Sequence, residues 1–168
     1  MVRSIRNDGT LAFTNVGGPL VPTLDGEYCK IITREQQIYT GTILSNSPAV
    51  HVFKDAKSLE RSCDTMHIRI DEIVKSKEDV EKLGIQNGDY IAIDTKTTIT
   101  DSGFIKSRFL DDKMSVAILF GMLKTLSQEK IKPLHNLVLM ISTFEEVGHG
   151  SSYVPEYISE LIAVDMGC

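Results

Sequence analysis

Four carboxylates stand out by where they fall: Asp111, Glu145, Glu146 and Asp165. Glu145 and Glu146 are adjacent in "TFEEVGHGSS", directly after the most apolar run of the chain, "LVLMIS". Asp111 opens a long apolar stretch, and Asp165 closes the apolar "LIAV". Carboxylates held together without a counter-charge repel one another and protonate. A bound divalent cation removes that cost, and hard oxygen donors suit Mg, Mn or Zn. Two adjacent glutamates can also divide the labour, one ligating while the other stays free as a general base.

Each position has a plainer use as well. Asp111 or Asp112 can cap the helix that follows, because Asp is favoured there. Glu145 and Glu146 can be solvated loop residues, and Asp165 can form a turn before Gly167. The chemical reading gains from shared placement, since open α/β sheets bind ligands outside the carboxyl ends of their strands. His149 follows the glutamate pair and is a candidate for a supporting or substrate-facing role. His51 sits in a β-rich stretch, His67 in a strand and His135 in a loop. No serine elbow, Walker loop or dinucleotide fingerprint is present.

These residues need elements to position them. The run "DDKMSVAILFGMLKTLSQ" predicts a helix whose apolar residues cover nearly all sides, and which is therefore largely buried. "LVLMIST" and "ELIAVDMG" read as strands covered on both faces, and their order with an intervening connection predicts a parallel sheet. Before residue 102 the pattern differs. "MVRSIRNDGTLAFTNVGG" predicts a hairpin about Asn7-Asp8-Gly9. "YCKIITREQQIYTGTIL" supplies one or two strands, "HIRID" another, and "DYIAIDTKTTIT" another. "KSKEDVEKLGI" is a short helix ending at Gly84. Short strands at this spacing suggest a small β-barrel or sandwich. The expected division is a β-rich domain over 1–101 and a partial α/β domain over 102–168.

The chain has 168 residues, enough for one ordinary domain or two small ones. Its 42% apolar and 24% charged content is that of a soluble globular protein. A net charge of −5 with no basic cluster argues against nucleic acid as a partner. No apolar run approaches the roughly 20 residues of a membrane span. The N-terminus lacks the apolar core of a signal peptide and reads as the middle of a strand. Cys29, Cys63 and Cys168 are widely spaced, which fits free thiols in a reducing cytosol and a cytoplasmic protein.

Taken in order, "MVRSIRNDGTLAFTNVGG", "RIDE", "SRFLDDKMSVAI", "TFEEVGHG" and "AVDMG" resemble the cytosolic dinuclear metallo-aminopeptidases. These are the tetrahedral, glutamyl and deblocking aminopeptidases, and the resemblance spans nearly the whole chain. It implies an α/β fold in which a β-barrel-like dimerisation domain is inserted into a parallel-sheet zinc-peptidase catalytic domain. It implies that Asp111 bridges two divalent metal ions, Zn or Co, with Glu146 on one and Asp165 on the other. Glu145 would be the general base, with Asp112 as a supporting neighbour. The implied reaction removes N-terminal residues from peptides: one metal polarises the scissile carbonyl, and a metal-bridging water attacks after Glu145 takes its proton. The implied assembly is a homo-oligomer, from a dimer up to a dodecamer.

The family's site also uses two histidines, one before the segment matching Met1 and one beyond the segment matching Cys168. The chain is therefore expected to be an internal piece, weak or inactive as a peptidase by itself. A reading from another class is a non-catalytic oligomerisation or interaction module derived from such a peptidase. A glycosidase is disfavoured, because adjacent glutamates do not supply carboxylates opposed across a sugar.

Overall fold

The computed structural model describes residues 1–167; Cys168, one of the three expected free thiols, lies outside them. The chain divides into two compact units, Met1–Asp94 and the segment from Thr95 onward.

The first unit is an antiparallel sheet of six strands. In chain order they are β1 (Val2–Ile5), β2 (Leu11–Phe13), β3 (Tyr28–Ile32), β4 (Ile38–Ser45), β5 (Met66–Ile70) and β6 (Tyr90–Ile93). Their spatial order is β1-β2-β5-β4-β3-β6. The first hairpin forms where the Asp-Gly signal places it. The Gly9 amide donates to the Arg6 carbonyl at 3.0 Å, and Gly9 takes a φ of 81° that a side chain resists. Asp8 Oδ1 accepts from the Thr10 amide at 3.0 Å and the Thr10 hydroxyl at 2.7 Å, locking the turn. Those two bonds, the backbone one first, hold the Asp8 carboxyl below its usual range.

"YCKIITREQQIYTGTIL" resolves into two strands, β3 and β4, joined at a turn where Gln36 takes φ 62°. The Thr33 hydroxyl accepts from the Gln37 amide at 3.1 Å to close it. Alternation then sets which faces are inward. Cys29 and Ile31 on β3, Ile43 and Ser45 on β4, and Met66, Ile68 and Ile70 on β5 are buried. The register sets Ile43 opposite Ile68 and Gly41 between Cys29 and Ile70. A short helix, α1 (Lys77–Lys82), adds buried Val80 to this core, capped by the Ser76 hydroxyl on the Asp79 amide at 3.2 Å. Gly84 ends it with φ 81°.

The edges of the sheet are tied together. The Val2 amide donates to the Asp89 carbonyl at 2.9 Å, and the Gly88 amide donates to the Val2 carbonyl at 2.8 Å. The first edge strand thus meets the turn leading into the last one at Val2, which curls the sheet around its core.

The second unit is less closed. "DYIAIDTKTTIT", expected as one strand, stops at Ile93, passes Lys96 at φ 49°, and resumes as β7 (Thr98–Ile99), which pairs with β8 (Ile105–Lys106). A long helix follows, α2 (Leu110–Gln128). It was expected to be largely buried, and here it is not. Ser115 is its buried residue, while Ile118 is 58% exposed and Phe120 55% exposed. A helix buries its apolar sides only against a packed layer, and among the described residues this unit forms only the two-stranded β7–β8 sheet. The expected parallel sheet is likewise not formed among the described residues. Neither "LVLMIST" nor "ELIAVDMG" pairs as a strand, and Leu137, Ile141, Leu161 and Ile162 are exposed. An apolar run becomes a parallel strand only through ladder bonds to neighbours, and among the described residues these runs have none.

Candidate functional site

The start of α2 is irregular where the aspartates lie. Phe109 takes φ 62°, and Asp111 (φ −78°, ψ 113°) and Asp112 (φ −115°, ψ 35°) leave helical geometry across a cis peptide bond. No side chain caps this helix. Asp111 and Asp112 are therefore not serving as its N-cap, and their oxygens are available for something else. Lys113 lies with its ammonium 5.7 Å from the centre of the Phe109 ring.

Asp111, Asp112 and Asp165 converge: each offers an oxygen, and these oxygens lie within 4.8 Å of one another. Asp165 reaches the group from the far end of the chain, with its own Oδ1 accepting from the Met166 amide at 2.6 Å. Asp111 and Asp165 are exposed and Asp112 is half-buried. Asp112 Oδ1 is buried and has no hydrogen-bond partner. A carboxylate oxygen withdrawn from water without a donor is costly, and protonation or a hard cation would offset the cost. Three carboxylate oxygens in one place suit a divalent metal by donor type and by charge. Asp112, expected only as a supporting neighbour, belongs to the converging group. Its adjacency to Asp111 was the available signal.

Glu145 and Glu146 do not belong to that group. Both sit, exposed, on a single 3-10 turn at Glu145–Val147. The turn is closed by the Gly148 amide on the Glu145 carbonyl at 2.7 Å and the His149 amide on the Phe144 carbonyl at 2.9 Å. The His149 ring is exposed, and its carbonyl accepts from the Ser152 hydroxyl at 2.8 Å. The structure thus brings together two of the expected ligands, Asp111 and Asp165, while the third, Glu146, stays with Glu145 and His149 on the neighbouring sequence turn.

Cys29 is a poor nucleophile. Burial, with the Asp71 charge adding to it, pushes the Cys29 thiol up to about 12. Cys63 Sγ lies 3.3 Å from Asn15 Oδ1. No helix among the described residues is long and apolar enough to cross a membrane.

Residues 1–168 match the family described as M42 glutamyl aminopeptidase. The chain is 45% identical over 168 residues to YhfE of Bacillus subtilis (strain 168), which carries the name of an aminopeptidase; the match covers 99% of this chain and 49% of YhfE. The fold is similar to that of aminopeptidase APDkam598 from the archaeon Desulfurococcus kamchatkensis, with TM-score 0.66 and 28% identity, covering 88% of this chain and 38% of that one. It is also similar to the TET1 peptidase of Pyrococcus horikoshii, described as able to assemble into a tetrahedron or a large octahedral shell. There the TM-score is 0.62 and the identity 24%, over 78% of this chain and 38% of the other. The chain spans about half the length of the curated relative YhfE.

Proposed function

The chain belongs to the M42 glutamyl aminopeptidase family, and from that premise we propose that it is part of a metal-dependent aminopeptidase that removes N-terminal residues from peptides. The observation that carries this reading is the convergence of Asp111, Asp112 and Asp165 within 4.8 Å, with Asp112 Oδ1 buried and unpartnered. In this reading Asp111, Asp165 and Glu146 would hold the divalent ions, Zn or Co, with Asp111 and Asp165 already beside one another. When bound, such ions polarise a carbonyl and make water a better nucleophile at neutral pH. Glu145 is the general base, its carboxylate accepting a proton from water. Asp112 sits beside Asp111 at the head of α2 and holds its oxygen toward the same point. His149 faces the substrate from the turn that carries Glu145. The protein acts in the cytoplasm as a homo-oligomer, in line with the shells described for the Pyrococcus horikoshii peptidase.

Calorimetric zinc and cobalt titration of the chain tests this, with Asp111→Asn and Glu146→Ala alongside. Binding that weakens in both variants supports the ligand set. Binding of equal strength in the wild type and both variants would sink it.

A second reading, a non-catalytic oligomerisation module, is favoured by one contrast. The Met1–Asp94 unit buries its own core, whereas Glu145 and Glu146 stand apart from the converging aspartates. Size-exclusion mass with and without EDTA separates the two readings. An assembly module keeps its oligomer after chelation and shows no metal-dependent hydrolysis.

A further inference from the structure

Two glycines bracket the turn that carries Glu145, and they are glycines for different reasons. Gly148 takes φ 82°, in the left-handed region, and a Cβ on it would meet nothing within 4 Å. Its requirement is conformational, and Asn can meet it too. Gly150 has no such backbone angle, yet a Cβ on it would stand 2.9 Å from both Cβ and Cγ of Glu145 and 3.0 Å from its Cα. Ordinary carbon contacts lie at about 3.5–4.0 Å. Its requirement is therefore space, and the space is occupied by Glu145.

We propose that Gly150 is a positioning residue for Glu145, its bare Cα packing against Cβ and Cγ of the glutamate and restricting the directions its carboxylate can take. The inference rests on the reading of Glu145 as the base only for its catalytic consequence; the packing stands by itself. The turn folds back through the Gly148 amide on the Glu145 carbonyl and the His149 amide on the Phe144 carbonyl. Residue 150 is thereby returned over the side chain of residue 145. Among the described residues no hydrogen bond or ion pair holds the Glu145 carboxylate, so backbone packing is what aims it. A staggered side chain that loses one side of its Cα–Cβ bond to a neighbouring backbone has fewer rotamers to visit. Because one of the colliding atoms is the Glu145 Cα, a methyl at position 150 cannot be accommodated by a swing of the side chain alone; the turn has to open.

The test is the χ1 rotamer of Glu145 in the isotopically labelled chain, read from three-bond couplings, in wild type, Gly150→Ala and Gly148→Asn. The expected result is one dominant rotamer in the wild type and in Gly148→Asn. In Gly150→Ala the couplings are averaged or switched, and the shift changes are confined to residues 144–152. Hydrolysis of an aminoacyl p-nitroanilide with added zinc is measured in parallel with Glu145→Gln. Gly150→Ala is expected to lower kcat by about 100-fold with KM little changed, the scale of a displaced catalytic group. Unchanged couplings in Gly150→Ala, or an averaged Glu145 already in the wild type, would overturn the proposal. Altered couplings with a measurable wild-type turnover that Glu145→Gln leaves unchanged would keep Gly150 as the positioning residue and remove Glu145 as the base.

Discussion

His67 and Arg6 meet on a single acceptor: His67 Nδ1 lies 2.9 Å and Arg6 Nη1 3.0 Å from the Asn46 side-chain oxygen. Arg6 also donates to the Met66 carbonyl at 3.1 Å, so a fixed positive charge is held against the β5 strand that carries His67. With Asn46 offering an oxygen, the imidazole is the donor at Nδ1.

Burial first, then the Arg6 charge, holds His67 below the ordinary histidine value of 6.5, with Asp8 pulling the other way and Arg69 adding to the depression. The folded state therefore favours the neutral ring. Its contribution to stability is complete above pH 6.5, where the unfolded chain is neutral too. It declines as pH falls below 6.5, because the unfolded chain then takes up the proton first. Urea unfolding followed between pH 7.5 and 5 should show stability falling, and His67→Gln should flatten that part of the slope.

The Asp89 side chain is buried, and its Oδ2 accepts from the Gln86 amide at 2.8 Å, shaping the turn whose Gly88 and Asp89 backbone groups hold Val2. Asp89→Ala leaves the Gln86 amide without that partner and loosens the turn. A loss of about 1–3 kcal/mol in unfolding free energy is expected, the scale of a lost buried acceptor. Equilibrium urea denaturation, read at constant m-value, checks it.

Gly41 lies where β4 crosses between β3 and β5. A methyl there would stand 2.8 Å from the Arg69 carbonyl oxygen and 3.0 Å from Ile68 Cγ2. Both obstacles are parts of the sheet itself, so the β4–β5 ladder has to move. Gly41→Ala should cost about 1–3 kcal/mol, as overpacked cores do. Amide exchange should speed up at residues 66–70, while residues on α2 remain as in the wild type.

Asp112 Oδ1 is withdrawn from water without a partner. If a cation is what compensates it, Asp112→Ala should weaken zinc binding by about 10- to 100-fold, the range seen when groups supporting a metal site are removed. The metal-free chain should tolerate the same change or gain stability from it, since an orphaned carboxylate is removed. Paired calorimetry and thermal unfolding, with and without zinc, read both effects. Loss of stability in the metal-free state with unchanged zinc affinity would contradict the assignment.

The sheet unit was legible because its signals are local. Asn7-Asp8-Gly9 specifies its turn through Gly9 and Asp8 alone, and Ser76 and Gly84 bound α1 within a few residues. Period-two alternation in "HIRID" was enough to send Ile68 and Ile70 inward. The second unit was harder to read because burial depends on partners that a local pattern cannot name. Ile118 and Phe120 have the composition of a core helix and stand exposed, and "LVLMIST" has the composition of a central strand and pairs with nothing described. In the site, Asp111 and Asp165 could be picked out by position, and Asp112 as their neighbour; that Asp112 offers an oxygen to the same point follows from three-dimensional packing and not from its adjacency. Gly150 was silent, since a glycine needed for space looks no different in sequence from one needed for a turn.

The tie between Val2 and Asp89 also sets a timetable. The sheet unit cannot close until its last turn exists, so a chain emerging from the ribosome holds the free edge of its first hairpin unpartnered through the making of nearly the whole unit. Contacts between residues so far apart in sequence are slow to form, because the loop must be ordered before the closing bonds return anything. The β1 edge therefore stays open longest during synthesis, and that interval, rather than the finished fold, is when this chain is most exposed to pairing with the wrong strand.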